Sequence, residues 1–257
     1  MIYKNENYQR NHVIVKGRET ELKTFLDATM KGTGIKHKWK HRANSNSEDA
    51  LTWSCFDVLR CQSQEKIKQA LDEIMEDAFE GKVNFSFVDE QNIKIEIGKE
   101  YLAPTLTKEE TEVDASIETD DKLIFFEAKL YSSMSLKNEE KKQPYDQIVN
   151  KLRVGLDYAR NNNKEFYFIF LDIAPLKQLY IHKSIKEAEG KGSGFADKWK
   201  SAWWFKYYRD GRNGSMKPIK EILKDITTDE EEINRVAKNM GWLTWTSLFK
   251  TTLRAVI

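Results

Sequence analysis

Residues 111–130 read TEVDASIETDDKLIFFEAKL, two runs of alternating polar and apolar residues separated by the acidic turn ETDD. Alternation with period two marks half-buried strands, and two such runs around a short polar turn predict an antiparallel hairpin. On the second strand, 122–130, Leu123, Phe125, Glu127 and Lys129 share one face, while Ile124, Phe126, Ala128 and Leu130 share the other. On the first, 111–117, Val113, Ala115 and Ile117 make an apolar face opposed by Glu112, Asp114 and Ser116. Aligning the apolar faces sets Asp114 opposite Phe125 or Glu127. A slip of one residue would put the carboxylates in the core, so the register is well specified. Asp114, Glu127 and Lys129 are therefore expected on one face, as two carboxylates beside an ammonium.

That grouping suits metal-assisted hydrolysis of a phosphodiester. Hard carboxylate oxygens hold Mg²⁺ or Mn²⁺, a bound cation polarises the phosphoryl oxygen and lowers the pKa of a water, and a neighbouring lysine orients that water and offsets developing charge. A Glu-x-Lys triplet alone is common on the solvated face of a hairpin. Asp114 on the preceding strand and the hydrophobic strand that holds the triplet are what raise it above that reading.

Outward from the hairpin, the pattern predicts helices over 18–30, from Ser45 or Ser47 to about Leu59, and over 64–80. The last carries the stripe Ile67, Leu71, Ile74, Ala78 and ends at Gly81. Ser45 with Glu48 matches a capping box, and Ser47 is an equally good N-cap. Residues 83–88 (VNFSFV) and 92–97 (NIKIEI) predict a further hairpin. After the triplet come a loop at 131–143, a helix at about 145–160, and the apolar run EFYFIFLDI at 165–173, a strand covered on both faces. A short strand at 178–182 and helices at about 195–209, 228–239 and 243–254 complete the order, with MGWLTW at 240–245 as a helix-to-helix junction. The expected fold class is α/β: a mixed sheet flanked by helices in one domain, with a core at about 44–182 and a helical C-terminal elaboration at about 183–257.

Four segments together resemble the PD-(D/E)xK, or restriction-endonuclease-like, nuclease superfamily: SEDALTW at 47–53, EVDA at 112–115, FEAK at 126–129 and YDQIVNKL at 145–152. Val113 stands where the name-giving proline would be. The resemblance implies a restriction-endonuclease-like sheet. By position it makes Asp114 and Glu127 metal ligands, adds the Ala128 carbonyl to them, and makes Lys129 the catalytic lysine. It also implies a contribution from the helix-borne Glu48. The stripe Leu51, Cys55, Leu59 independently aims Glu48 along the buried face, although an acidic residue there also complements the helix dipole. Gln147 and Lys151, one helical turn apart, stand where similar nucleases approach the scissile phosphate. A solvated helix edge accounts for both equally well.

Composition adds limits. With 42 Lys and Arg against 41 Asp and Glu, the net charge of +1 gives no global attraction to a polyanion, so local patches must supply it. The candidates are KHKWKHR at 36–42, with Lys38, Lys40 and Arg42, and the segment 183–224, which holds 11 Lys and Arg against 5 Asp and Glu. The aromatics interleaved there, Trp199, Trp203, Trp204, Tyr207 and Tyr208, could stack on bases but read better as core. His37 and His41 have helical metal spacing without a third ligand nearby, and GKGSG at 190–194 is not a P-loop. Cys55 and Cys61 imply no disulfide framework, and no apolar run is long enough for a leader or a membrane span. The expectation is a cytoplasmic, Mg²⁺- or Mn²⁺-dependent deoxyribonuclease acting on DNA, in the manner of a restriction or defence endonuclease. Its alternatives are a catalytically inert nucleic-acid-binding or assembly module of the same fold, or a nuclease subunit that needs a partner or a homodimer.

Overall fold

A computed structural model of the chain describes residues 15–27, 38, 47–83, 85–107, 109–130, 134, 145–173, 195–212 and 214–257, with backbone alone at 195–201. Its elements are α1 (Glu19–Asp27), α2 (Glu48–Arg60), α3 (Gln64–Phe79), β1 (Lys94–Leu102), β2 (Glu110–Glu118), β3 (Lys122–Ala128), α4 (Gln147–Asn161), β4 (Glu165–Asp172), α5 (Phe195–Arg209), α6 (Lys217–Leu223), α7 (Glu230–Lys238), β5 (Met240–Thr244) and α8 (Trp245–Val256). The five strands form one mixed sheet in sequence order. The first three are antiparallel, and β3, β4 and β5 run parallel. No helix among the described residues is long and apolar enough to cross a membrane.

Helices cover both faces of the sheet. One core joins α2, α3 and α8 to Ala115, Ile117, Ile124, Phe126, Ile169 and Leu243. The other joins α4, α5, α6 and α7 to Leu123, Phe125, Phe166, Phe168, Phe170 and Trp242. Every residue of β3 is buried, as a strand enclosed on both faces requires. Helix α4 comes close enough that a Cβ on Gly155 would fall onto the Phe166 ring and within 2.9 Å of Phe125 Cε2. Gly155→Ala should therefore destabilise the protein despite alanine's better helix propensity. Overpacking costs roughly 1–3 kcal/mol and the propensity returns less than about 1. A thermal melt of the variant no lower than that of the parent would show that the helix can back away.

Three expectations need correction. Residues 83–88 form no strand. Ser86 Oγ and Phe87 N–H donate to the two oxygens of Asp72 at 2.6 and 2.7 Å, which docks the segment on α3 with Phe87 buried. The pairing of β1 passes instead to β2, with Ile95 opposite Ile117 and Tyr101 opposite Thr111. Residues 240–244 are a strand, not a helix junction. Gly241 lets β5 pass under Phe79, where a Cβ would stand 2.8 Å from the ring, and the C-terminal third of the chain thus completes the sheet. Finally, Val113 does not share a face with Ala115 and Ile117. It packs with Tyr101 in one core while they pack in the other. On the neighbouring strand Gly98, between the partners of Ala115 and Val113, has a φ of 64° in the left-handed region. The strand at 178–182, the N-cap alternative Ser45, residues 131–133 and 135–143 of the expected loop, and GKGSG at 190–194 lie outside the described residues.

Candidate active site

The hairpin register places the carboxylates. Ala115 pairs with Phe126 and Ile117 with Ile124. The next residues outward are Asp114 and Glu127. Here Asp114 replaces a backbone acceptor: Ala128 N–H donates to its Oδ2 at 2.7 Å. From Ala128 onward the chain is held by other elements. Lys129 N–H donates to Leu171 O at 2.7 Å, Trp245 Nε1 donates to Lys129 O at 3.0 Å, and Leu130 N–H donates to Glu48 Oε2 at 2.9 Å. Ser47 is the N-cap of α2, yet its side chain makes no capping bond. Glu48 begins the helix as an acidic first-turn residue, and its carboxylate reaches the chain just beyond β3.

Lys129 lies at the centre of the cluster and is only 6% exposed. Its Nζ donates to Glu127 Oε1 at 2.6 Å and to Ala128 O at 2.9 Å, with Glu48 Oε1 at 3.8 Å. A second ammonium arrives from α4. Lys151 Nζ stands 2.9 Å from Glu127 Oε2 and donates to Glu112 O at 2.9 Å and Thr111 Oγ1 at 3.3 Å. Lys151 is thus a buried partner of Glu127, not a solvated helix edge.

The electrostatics separate the two carboxylates. Burial opposes ionisation of Glu127, whose side chain is 0% exposed, but Lys129 and Lys151 outweigh it and hold its pKa below the usual range. Burial and the neighbouring Glu127 charge push Asp114 up to about 8, against the pull of Lys129 and Lys151. Burial would lower the Lys129 pKa, yet Glu127, Asp114 and Glu48 raise it, so this lysine is a fixed cation. Lys151→Met should remove one of the two ammonium partners of Glu127, the one at Oε2. An unsatisfied buried acceptor costs roughly 1–3 kcal/mol, visible as a lower denaturation midpoint. An unchanged midpoint would mean that Lys129 alone can neutralise Glu127.

Asp114, Glu127, Ala128, Lys129, Glu48 and Lys151 are thus brought together. Gln147 is the first residue of α4, whose N-cap Asp146 accepts from Val149 N–H at 2.9 Å. Lys38 is not a free phosphate contact. Its ammonium pairs with Glu112 and sits 4.3 Å over the Phe25 ring. Lys40 and Arg42 lie outside the described residues. On α5, Ala202, Phe205 and Tyr208 are buried and Trp203, Trp204 and Tyr207 are half-buried, so the core reading of this stretch holds for its inner face. One contributor escapes a reading by local pattern: Trp245, at the start of α8, which fixes the Lys129 carbonyl.

Among the described residues, no three His, Cys, Asp or Glu side chains are set to ligate an ion together. The Lys129 ammonium stands between Glu127 and Glu48, and Asp114 is turned to Ala128 N–H. The donor set still fits a hard cation. Glu127, the Ala128 carbonyl and Glu48 converge on one positive charge, all through oxygen, and Asp114 lacks enough positive charge nearby to stay ionised at neutral pH. A scan against protein-family models and searches of curated proteins and of solved structures find no match to this chain.

Proposed function

We propose that the chain is a metal-dependent nuclease of the restriction-endonuclease-like, PD-(D/E)xK kind, hydrolysing phosphodiester bonds of DNA. One observation carries the reading. The Glu127 carboxylate, the Ala128 carbonyl and Glu48 gather around the Lys129 ammonium, with Asp114 fastened to the same peptide. Asp114, Glu127, Glu48 and the Ala128 carbonyl would hold Mg²⁺ or Mn²⁺, which supplies an activated water and a polarised phosphoryl oxygen when bound. Lys151 keeps Glu127 ionised. Lys129, released from the carboxylates it now bridges, can donate to the attacking water or to a phosphate oxygen and offset the charge that grows there. Trp245 and Leu171 keep the Lys129 backbone in place during that movement.

A second reading, a nuclease that acts only with a partner subunit, is favoured by the ion pairing. Lys38, Lys129 and Lys151 are all engaged by the chain's own acids, which weakens the field available to a polyanion. The test is incubation with supercoiled plasmid, linear duplex, single-stranded DNA and RNA, in Mg²⁺, in Mn²⁺ and in chelator. Metal-dependent strand breaks that vanish in Glu127→Gln support the nuclease. The absence of breaks in any substrate with either metal would leave an inert module or an incomplete assembly, which adding candidate partners separates.

A further inference from the structure

The Lys129 ammonium already neutralises the oxygens that the proposed metal site would use. Its Nζ donates to Glu127 Oε1 at 2.6 Å and to Ala128 O at 2.9 Å, and Glu48 Oε1 lies 3.8 Å away. The lysine is buried, so protein oxygens hold its charge in place of water. An ammonium and a dication cannot draw on one set of oxygens without strong repulsion at short range. Lys129 must therefore leave all three groups before they can serve a metal.

The neighbouring carboxylate oxygens are taken up elsewhere. Glu127 Oε2 faces Lys151 Nζ at 2.9 Å, Asp114 Oδ2 accepts from Ala128 N–H, and Glu48 Oε2 accepts from Leu130 N–H. A buried cation stripped of its acceptors is unfavourable, and that cost falls on metal binding. A phosphodiester relieves it, because its oxygens accept strong hydrogen bonds from the displaced ammonium.

We propose that Lys129 is a displaceable plug in the metal site: the free chain binds divalent metal weakly, and metal and nucleic-acid backbone bind cooperatively, the phosphate receiving the ammonium that leaves the carboxylates. This rests on the metal-dependent reading above and adds regulation to it, since the site stays closed to metal until a phosphate arrives. Coupling between two ligands is reciprocal, so metal tightens DNA binding by the factor by which DNA tightens metal binding. Lys151 is the internal control. It also neutralises Glu127, but at Oε2, and its other bonds go to Glu112 O and Thr111 Oγ1. Removing it changes the charge of the site without emptying the position between Glu127 and Glu48.

Mn²⁺ binding to the full chain without DNA can be followed by electron paramagnetic resonance of the free ion. Lys129→Met should bind Mn²⁺ about tenfold tighter than the parent, a factor within the usual range for such coupling, and Lys151→Met should gain clearly less. Lys129→Gln, which keeps a neutral donor toward Glu127, serves if the Met variant does not fold. The affinity of a fluorescently labelled duplex should rise about tenfold in the parent between chelator and saturating Ca²⁺, another cation that prefers oxygen ligands. That rise should shrink several-fold in Lys129→Met. Parental Mn²⁺ affinity in the folded Lys129 variants, while Glu127→Gln loses the ion, would overturn the plug and leave the metal site standing. Equal gains in Lys129→Met and Lys151→Met would overturn it as well, because the charge of the site alone would then set the affinity. No Mn²⁺ binding at millimolar concentration by parent or variants would sink the metal-dependent reading and the plug with it.

Discussion

Lys129→Met is expected to lose DNA cleavage by about 10²–10³-fold while keeping the fold. Loss of one preorganised electrostatic contact to the developing charge has that size. The variant retains the backbone clamps, since Trp245 holds the Lys129 carbonyl and Leu171 holds its N–H. It does remove one ammonium from a fully buried Glu127. Some loss of stability will accompany the loss of rate, so circular dichroism and a melting curve belong beside the cleavage assay. Lys129→Arg restores the charge but not its compact shape and should recover stability more than activity. Parental cleavage by a folded Lys129→Met protein would remove the lysine from the mechanism.

The second large effect is a pH dependence of stability in chelator. The Asp114 carboxyl has its pKa raised to about 8 by burial and by Glu127, against about 3.9 in an unfolded chain. The folded state thus holds this proton more tightly than the unfolded state. The stability it contributes is complete below about pH 4 and is lost as pH rises toward 8. The slope in that window is at most about 1.4 kcal/mol per pH unit. Asp114→Asn keeps an acceptor for Ala128 N–H but cannot ionise, so its stability should fall less steeply over the same range. Denaturant unfolding at pH 5, 6, 7 and 8 reads this directly. Parallel curves for the two proteins would show that Asp114 is ionised throughout.

How much of this was legible beforehand depends on the range over which each feature is decided. The hairpin is local. Its two alternating runs and acidic turn specify the register that lines up Ala115 with Phe126, and with it the position of Asp114 beside Glu127. The stripes of α3 and α4 were equally plain, because a helix closes its own hydrogen bonds and shows its buried side every three or four residues. The inward aim of Glu48 followed from the same periodicity, whereas the choice between Ser45 and Ser47 as the helix start stayed open.

What the sequence alone determined is the order of local elements, the mixed α/β class they imply, and the residue types at the site. Tertiary structure decided the rest, for a common physical reason: the deciding partner is remote in sequence. VNFSFV has the pattern of a strand, but the Asp72 carboxylate captures its backbone. MGWLT is too short to declare itself, and it becomes a strand because β4 offers a parallel edge and Gly241 clears Phe79. Val113 and Ala115 part company because the cores they join are built by helices remote in sequence. Lys151 reads as a solvated helix position, and only the packing of α4 on the sheet brings it within 2.9 Å of Glu127. The charges of the site are written in the chain, whereas their burial, pairing and displaced pKa values belong to the fold.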